Sequence, residues 1–324
     1  MLCALDCVKL LRKFNSDHEK GIYKMYDLIV VGAGPAGLTA AIYARRADKS
    51  VLVLDKGMFG GQMTFSPKIE NYPGFEQISG NELAEKMVSQ AIEIGAELDM
   101  AEVTGIEKEG DIFCVYSGDD IYMAKTVILA TGARHRLLGI DREEEFIGEG
   151  ISFCAVCDGA FYAGKTVAVI GGGNSALQEA IMLSDGCEKV YVVQNLDFLT
   201  GEEKLAEILK KRKNVEIIYG CTVEAIHGTD VFGGIVIKQT ATGEKTRLDL
   251  DGMFVAIGQV PENDAYKNLV SLSDRGYVVS DENCLTSTEG LFVAGDCRTK
   301  NIRQISTACG DGAIAALAAC RYLD

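Results

Sequence analysis

The stretch YDLIVVGAGPAGLTAAIYARRADKSVLVLDKG, from Tyr26 to Gly57, decides the fold. It consists of an apolar strand, a G-x-G-x-x-G turn, a helix-like run and a second apolar strand. In such a turn the first glycine makes the bend, the second lets the backbone approach a pyrophosphate, and the third allows close helix–strand packing. The amides at the start of the helix attract the anion. Because the turn lies between a strand and a helix, it predicts a dinucleotide-binding βαβ unit.

A second copy of this unit spans Lys165–Leu196, with the sequence KTVAVIGGGNSALQEAIMLSDGCEKVYVVQNL. The two copies differ at the position that reads the adenine-side ribose. Asp55 follows Gly32 by 23 residues, and the same spacing from Gly171 leads to Gln194. A carboxylate at this position can accept both ribose hydroxyls. The first copy is therefore complete as a dinucleotide site, whereas the second lacks its carboxylate.

Other segments extend the first unit into an FAD site. FGGQ (Phe59–Gln62) is expected to pass backbone amides along the flavin edge, and VILATGAR (Val127–Arg134) is expected to return as a strand to the first sheet. LFVAGD (Leu291–Asp296) predicts another strand of that sheet, followed by a helix whose N-terminal amides meet flavin oxygens. The second unit is then an insertion. We expect a discontinuous FAD domain over 25–143 and 272–324, a central domain over 144–271, and an N-terminal extension over 1–24.

The bulk properties exclude several classes of protein. With 324 residues, of which 48% are hydrophobic, the chain is long enough for about two domains. A formal net charge of −15 argues against nucleic-acid binding. No run of 18 apolar residues occurs, so no membrane span is predicted, and residues 1–24 lack the features of a signal peptide. We expect a cytoplasmic protein.

The pair Cys154 and Cys157, followed by Asp158, forms a C-x-x-C motif in FCAVCDGAFY. Half of a zinc site is one alternative, but zinc needs four ligands, and the chain has three histidines and no second C-x-x-C. Two structural cysteines are the other alternative. A redox-active disulfide is favoured because the pair lies between two dinucleotide-type units and beside an acid. We predict no metal, and core positions for most of the other nine cysteines.

Together these motifs resemble the low-molecular-weight thioredoxin reductases over Tyr26–Asp324. The matching segments are GAGPAG, GGQ, ENYPGF, ATGAR, CAVCDG, GGGNSA, FVAIGQVP, AGD and RQISTACGDGA. The resemblance implies an α/β fold with two Rossmann-like three-layer dinucleotide-binding domains, the class II architecture of pyridine nucleotide-disulfide oxidoreductases. It also implies that Cys157 faces the flavin, that Cys154 attacks the disulfide of thioredoxin, and that Asp158 exchanges protons. Members of the family are usually homodimers.

The FAD contacts carried over from the matching motifs fall into four groups. They are Gly32, Gly34, Pro35, Ala36 and Gly37 in the first turn; Asp55, Lys56, Gly60, Gly61, Gln62 and Asn71 after the second strand; Ala130, Thr131 and Gly132 in ATGAR; and Asp296, Arg303, Gln304 and Ile305 near the C-terminus. Catalysis is assigned to the two cysteines and the adjacent aspartate.

The electron donor is where the chain departs from most of that family. NADPH-using members carry a His-Arg-Arg-Asp run, and this chain has Gln194-Asn195-Leu196-Asp197. The pattern is similar to that of the clostridial-type ferredoxin-dependent flavin thioredoxin reductases, which makes reduced ferredoxin the expected donor. An acidic ferredoxin would need a basic patch; the candidates are Lys210–Lys213, Arg134 with Arg136, and Arg298 with Lys300 and Arg303. Use of NADPH or NADH, reduction of another disulfide protein, and a non-enzymatic redox-sensing flavoprotein remain alternatives.

Overall fold

The computed structural model describes residues 24–57 and 59–324 and divides them into two compact units. The first unit contains the described residues up to Ser66, with Tyr72–Arg134 and Val260–Asp324; the second contains Pro67–Asn71 and His135–Gln259. The chain therefore crosses after 134 and 259, rather than after 143 and 271 as expected. These crossings lie in strands of three residues, too short to leave a pattern in the sequence. Apart from Lys24, the expected extension over 1–24 lies outside the described residues.

The strands are numbered in chain order. They are β1 (Met25–Val31), β2 (Val51–Asp55), β3 (Glu97–Met100), β4 (Gly105–Glu109), β5 (Ile112–Ser117), β6 (Asp120–Leu129), β7 (Ala133–His135), β8 (Ile151–Ser152), β9 (Thr166–Ile170), β10 (Lys189–Gln194), β11 (Val215–Tyr219), β12 (Cys221–His227), β13 (Gly234–Gln239), β14 (Lys245–Asp249), β15 (Gly252–Val255), β16 (Gln259–Pro261) and β17 (Leu291–Val293).

The α-helices follow the same numbering rule. They are α1 (Pro35–Arg46), α2 (Gly80–Glu93), α3 (Ala155–Asp158), α4 (Asn174–Ser184), α5 (Glu203–Lys210) and α6 (Ile305–Leu323). Within the described ranges, none of these helices combines the length and apolar character needed to cross a membrane.

A seven-stranded sheet forms the core of the first unit, in the order β3-β2-β1-β6-β5-β4, with β17 also paired to β6. Strands β3, β2, β1, β6 and β17 are parallel to one another, while β4 and β5 are antiparallel. Strand β1 is an apolar run because a parallel strand covered on both faces has little exposed side-chain surface. Since β1 and β2 are parallel neighbours, the turn after β1 and Asp55 at the end of β2 meet at one edge of the sheet.

The second unit repeats this arrangement with a five-stranded parallel sheet in the order β11-β10-β9-β15-β8. A three-stranded antiparallel sheet, β12-β13-β14, accompanies it. Helix α4 follows β9 as α1 follows β1, so the predicted internal repeat is present in the structure. Its glycine turn and the end of β10 meet at the carboxyl edge of the parallel strands, where ligands of such sheets bind.

Helices α1 and α6 pack closely in the first unit. A Cβ atom at Gly312 on α6 would collide with the backbone of Ala36 on α1, so only glycine permits this approach. Ala315, Ala316 and Ala319 continue the contact face and are fully buried. The packing brings the start of the C-terminal helix to the first glycine turn.

Candidate functional site

The first glycine turn forms a cradle at the start of α1. Gly32 has φ +108°, and a Cβ atom there would overlap the carbonyl oxygen of Ala130 at the end of β6. Gly34 differs, because no atom lies within 4 Å of the Cβ that it lacks. That space, beside the N-terminal amides of α1, fits the approach of a pyrophosphate. The other predicted residues of this turn are Pro35 at the helix start and the buried Ala36 and Gly37.

Asp55 is held at the end of β2 by backbone amides. Its Oδ2 accepts a hydrogen bond from Ala33 N at 2.6 Å, and its Oδ1 accepts one from Gly57 N at 2.9 Å. These bonds fix the carboxylate beside the glycine turn, where it was predicted to read a ribose. Lys56 instead forms an ion pair with Glu262, so its ammonium group is already matched by a carboxylate.

The segment Gly60–Gln62 lies against the same turn. Gly60 N donates to Ala33 O at 2.8 Å, and the side-chain amide of Gln62 donates to Ala133 O. The structure thus brings these residues to the cradle. Asn71 is the exception among the predicted FAD contacts, because the chain division assigns it to the second unit.

The ATGAR turn closes another side of the cradle. Ala130 N donates to Val31 O at 2.7 Å, which joins the end of β6 to the end of β1. Thr131 Oγ1 donates to the side-chain oxygen of Asn263 at 3.3 Å, and Asn263 itself donates to Cys297 O at 2.9 Å. Gly132 has open space around its missing Cβ. Asn263 is buried and joins this turn to the AGD segment, a role that the sequence did not indicate.

Asp296 carries the clearest sign of a missing ligand in the first unit. Its Oδ1 is one of the few buried side-chain oxygens in the described residues that have no hydrogen-bond partner. Burial raises the pKa of Asp296. Buried polar groups are almost always hydrogen-bonded, and FAD carries hydroxyl donors on its sugar and ribityl chains. Next to it, Arg303 donates to Asp296 O at 3.3 Å, and α6 begins at Ile305 after the N-cap Gln304.

A buried ionic cluster anchors the AGD turn to α6. Asp311 accepts hydrogen bonds from Arg298 Nε and Nη2, both at 2.8 Å, from Lys300 Nζ at 2.9 Å and from Gly295 N at 3.0 Å. Burial opposes ionisation, but the bonds from Arg298 and Lys300 outweigh it and lower the pKa of Asp311. Both cations are buried, so they cannot form the docking patch considered from the sequence. Arg303, the third member, has its guanidinium 4.3 Å from the centre of the Tyr277 ring.

In the second unit, Cys154 and Cys157 form a disulfide with their Cα atoms 5.3 Å apart. Cys154 caps α3, and its Sγ accepts a hydrogen bond from Cys157 N at 3.2 Å. The amides of Cys157 and Asp158 also donate to Cys154 O, at 3.1 and 3.0 Å. These amides surround the sulfur that the family resemblance assigns as the attacking one. They would stabilise a negative charge there.

Ser152 joins the first cysteine to the acid, and the sequence had not singled it out. Cys154 N donates to Ser152 Oγ at 3.1 Å, and Ser152 Oγ donates to Asp158 Oδ2 at 2.6 Å. The other oxygen, Oδ1, is buried without a partner in the described residues. Burial raises the pKa of Asp158, and the bond from Ser152 partly offsets this. The arrangement holds one carboxylate oxygen and leaves the other available to exchange a proton.

We expect Ser152→Ala to raise the pKa of Asp158 further, since the opposing hydrogen bond is lost. The apparent ionisation assigned to Asp158 in the pH profile of disulfide reduction should then move to higher pH. Ser184→Ala is the matched control, because Ser184 is also buried in the second unit and donates only to the Ile181 carbonyl. Equal pH profiles for Ser152→Ala and wild type would contradict this role.

The second glycine turn keeps its shape but is engaged by its own chain. Gly171 has φ +129°, as the first glycine of such a turn requires. Gln194 is only 4% exposed and donates from Nε2 to Phe198 O at 3.0 Å. A Cβ atom at Gly172 would lie 2.5 Å from the Gln194 amide carbon, so this side chain is packed on the turn. Thr200 N donates to Gly172 O at 2.8 Å, which folds the following loop back over it.

A cradle that fits FAD in one unit and a disulfide in the other define a flavin-dependent disulfide oxidoreductase. The chain is 42% identical to thioredoxin reductase of Listeria monocytogenes over 303 residues, covering 93% of this chain and 95% of that protein. It is also 42% identical over 301 residues to the "34.2 kDa protein in rubredoxin operon" of Clostridium pasteurianum, covering 93% and 98%. The crystal structure of Streptococcus pyogenes thioredoxin reductase superposes with a TM-score of 0.88 at 42% identity, covering 92% and 98%.

The chain belongs to the pyridine nucleotide-disulphide oxidoreductase family, whose model matches residues 26–312. It is an FAD-dependent oxidoreductase that acts on a disulfide. The predicted fold class, enzyme class and cofactor are thereby confirmed, and the non-enzymatic alternative is excluded. Its relatives are thioredoxin reductases of the low-molecular-weight type.

Proposed function

We propose that this enzyme reduces the disulfide of thioredoxin through Cys154 and Cys157, and that reduced ferredoxin supplies the electrons to FAD. The identity of the protein substrate is supported by the relatives named thioredoxin reductase. The observation that carries the choice of donor is the state of Gln194. Its buried amide bonds to the loop that follows it and lies against the second glycine turn.

The residues after Gln194 offer a nicotinamide dinucleotide phosphate little charge. Asn195 and Leu196 are exposed at the end of β10 and carry no charge, where NADPH-using members of the family have arginines. Charge-assisted hydrogen bonds contribute roughly 1.5–3 kcal/mol each. Two lost bonds would weaken binding by a few hundredfold or more. A one-electron carrier as donor is also in keeping with the relative whose name places it in a rubredoxin operon.

The chain's own residues account for the exchange with the protein substrate. When bound, FAD supplies the electron pair that opens the Cys154–Cys157 disulfide, and it can collect that pair one electron at a time. The thiolate of Cys154 attacks one sulfur of the thioredoxin disulfide, and the other thioredoxin sulfur leaves and takes a proton. Cys157 then attacks Cys154 Sγ in the mixed disulfide, which releases the second thioredoxin thiol and re-forms the enzyme disulfide. Asp158 lies next to Cys157, with Oδ1 free of other partners among the described residues, and carries the proton.

The donor can be tested by mixing the oxidised enzyme, without oxygen, with reduced ferredoxin or with NADPH and following the loss of FAD colour. We expect fast bleaching by ferredoxin, and bleaching by micromolar NADPH slower by about a hundredfold or more. The double variant Asn195→Arg, Leu196→Arg should recover a large part of the NADPH rate, because both side chains point a guanidinium source toward the ribose end of β10.

Val231→Arg controls for added positive charge, since Val231 is exposed on the loop between β12 and β13. It should leave the NADPH rate unchanged. Fast bleaching of the wild type by micromolar NADPH would overturn the ferredoxin proposal and favour an NADPH-dependent reductase. Thioredoxin reduction itself would survive that result.

A docking patch for an acidic ferredoxin must come from the basic residues that stay accessible. Of the run Lys210–Lys213, the lysines are exposed, while Arg212 pairs with Asp185 at 2.7 Å. Arg134 is 3.3 Å from Glu262, which partly neutralises the second candidate patch. The lysines of this run are therefore the best remaining candidates. The homodimer and the cytoplasmic location stay predictions from the sequence.

A further inference from the structure

Glu179 on α4 places a second buried carboxyl group against the redox segment. Its Oε2 is buried and has no hydrogen-bond partner among the described residues. The carboxyl accepts a hydrogen bond from the backbone amide of Ala155, the residue that follows Cys154. Ala155 is the first residue of α3 and is only 3% exposed. Glu179 therefore contacts the backbone between the two cysteines.

The surroundings of Glu179 are apolar. Ala155 packs with Ala176, Ala180 and Leu183, which lie on α4 around the glutamate. Burial raises the pKa of Glu179 to about 8, and the Ala155 amide only partly opposes this. The carboxyl group is therefore mostly protonated at neutral pH.

Charged and titratable groups occur on the elements packed against α4. Asp158 is bonded to Ser152, the pKa of Tyr162 is raised to about 12 chiefly by burial, and Lys189 pairs with Glu216 at 2.6 Å. Burial and the Ala155 amide are the influences that act on Glu179, so no counter-charge compensates it. The ionisable residues of α5, which also packs on α4, are Glu203, Lys204, Glu207 and Lys210.

We infer that Glu179 is a positioning residue that controls the reactivity of the Cys154 thiolate, by holding the Ala155 amide as a neutral acid and opposing the thiolate once it ionises. The inference rests on the proposed role of Cys154 as the attacking cysteine. It adds a residue that neither the motif nor the family resemblance had assigned.

The physical reason is the interaction of two negative charges at close range. After reduction, the Cys154 thiol ionises by losing its proton, and the thiolate is stabilised by the Cys157 amide that already points at Sγ. A neutral Glu179 leaves this equilibrium undisturbed. An ionised Glu179 adds a like charge one residue away in a poorly solvated region, which disfavours the thiolate. The two ionisations are therefore coupled.

Alkylation of the reduced protein tests this coupling without thioredoxin or an electron donor. The full-length protein is reduced with dithiothreitol, freed of reductant and treated with iodoacetamide from about pH 6 to about pH 10, a range that covers thiol ionisation. Modification of Cys154 is followed by peptide mass spectrometry. For Glu179→Gln we expect Cys154 to react about three- to tenfold faster than in wild type above about pH 8, since a pKa difference of one unit changes the thiolate fraction up to tenfold. Near pH 6 the two proteins should react equally.

Glu207→Gln on α5 is the matched control, because it removes one exposed carboxylate from the same unit. Its alkylation profile should match the wild type. Equal ratios of Glu179→Gln to wild type at all pH values, or the same effect from Glu207→Gln, would overturn the inference. If Glu179→Gln fails to fold, the wild-type profile decides: two coupled steps support the inference and a single step refutes it. Failure of the ferredoxin proposal would leave this result untouched.

Discussion

Cys154→Ser is expected to reduce the rate of thioredoxin reduction by at least about a thousandfold, while FAD stays bound and is still bleached by the electron donor. A serine hydroxyl cannot form the disulfide that Cys154 makes with Cys157. It also ionises far less readily than a thiol, so the partner disulfide has no nucleophile to attack it. The FAD cradle lies in the first unit and contains neither cysteine. Stopped-flow absorbance of FAD and a steady-state thioredoxin assay measure the two halves separately.

The order of the two cysteines can be tested by trapping. Cys157→Ser keeps Cys154, so it should displace thionitrobenzoate from a single-cysteine thioredoxin that carries this group on its sulfur. The product is a stable mixed disulfide, visible as a covalent adduct on a non-reducing gel. Cys154→Ser should form little of this adduct, because Cys157 is proposed to face the flavin. The reverse pattern would exchange the roles of the two cysteines.

Cys187→Ser is the control for loss of a thiol from the same unit. Cys187 is a free buried cysteine whose pKa is raised by burial, so it makes a poor nucleophile. We expect this variant to keep near wild-type activity. Unchanged thioredoxin reduction in Cys154→Ser, with a competent donor present, would refute the catalytic assignment.

The sequence predicted those features of the site that depend on local spacing. A glycine turn between a strand and a helix specifies its own backbone, so Gly32, Gly34 and Asp55 could be placed from the letters alone. The disulfide followed from a C-x-x-C pair in the same way. The contrast between Asp55 and Gln194 required only a matching register in two copies of one unit.

Other features depend on contacts between distant segments and left no such signal. Asp311 is 13 residues from Arg298, and its importance follows only from the packing of α6 against the AGD turn. Glu179 lies on a helix that begins at the second glycine turn, and only the fold brings it to Ala155. For the same reason, Arg298 and Lys300 were predicted as surface cations, whereas the structure uses them as buried partners of one carboxylate.

The largest effect on stability is expected from Asp311→Asn. This change removes the negative charge that faces two buried cations and turns an amide donor toward their N–H groups. Breaking a buried ion pair by removing one partner costs about 3–5 kcal/mol. The free energy of unfolding of the first unit should fall by that amount. FAD should also dissociate more readily, because Gly295 N loses its acceptor and the turn that carries Asp296 loses an anchor.

Urea unfolding followed by circular dichroism, together with the fluorescence of released FAD, measures both effects of Asp311→Asn. Asp324→Asn is the matched control, since it removes a carboxylate from an exposed ion pair with Lys49 at the end of the same helix. Exposed pairs contribute about 0–1 kcal/mol, so this control should stay within that range of the wild type. A loss no larger in Asp311→Asn would mean that the buried cluster does not anchor the turn.

The pH dependence gives this prediction an independent sign. Because the folded-state pKa of Asp311 lies below its ordinary value, the stabilisation is fully present above the unfolded-state pKa of about 3.9. It is lost as the pH falls through the lowered folded-state pKa. The difference in unfolding free energy between wild type and Asp311→Asn should therefore stay constant from about pH 5 to about pH 8 and shrink only below about pH 4. A difference that shrinks on the alkaline side instead would point to Lys300, the cation of the cluster that can lose its proton, as the titrating group.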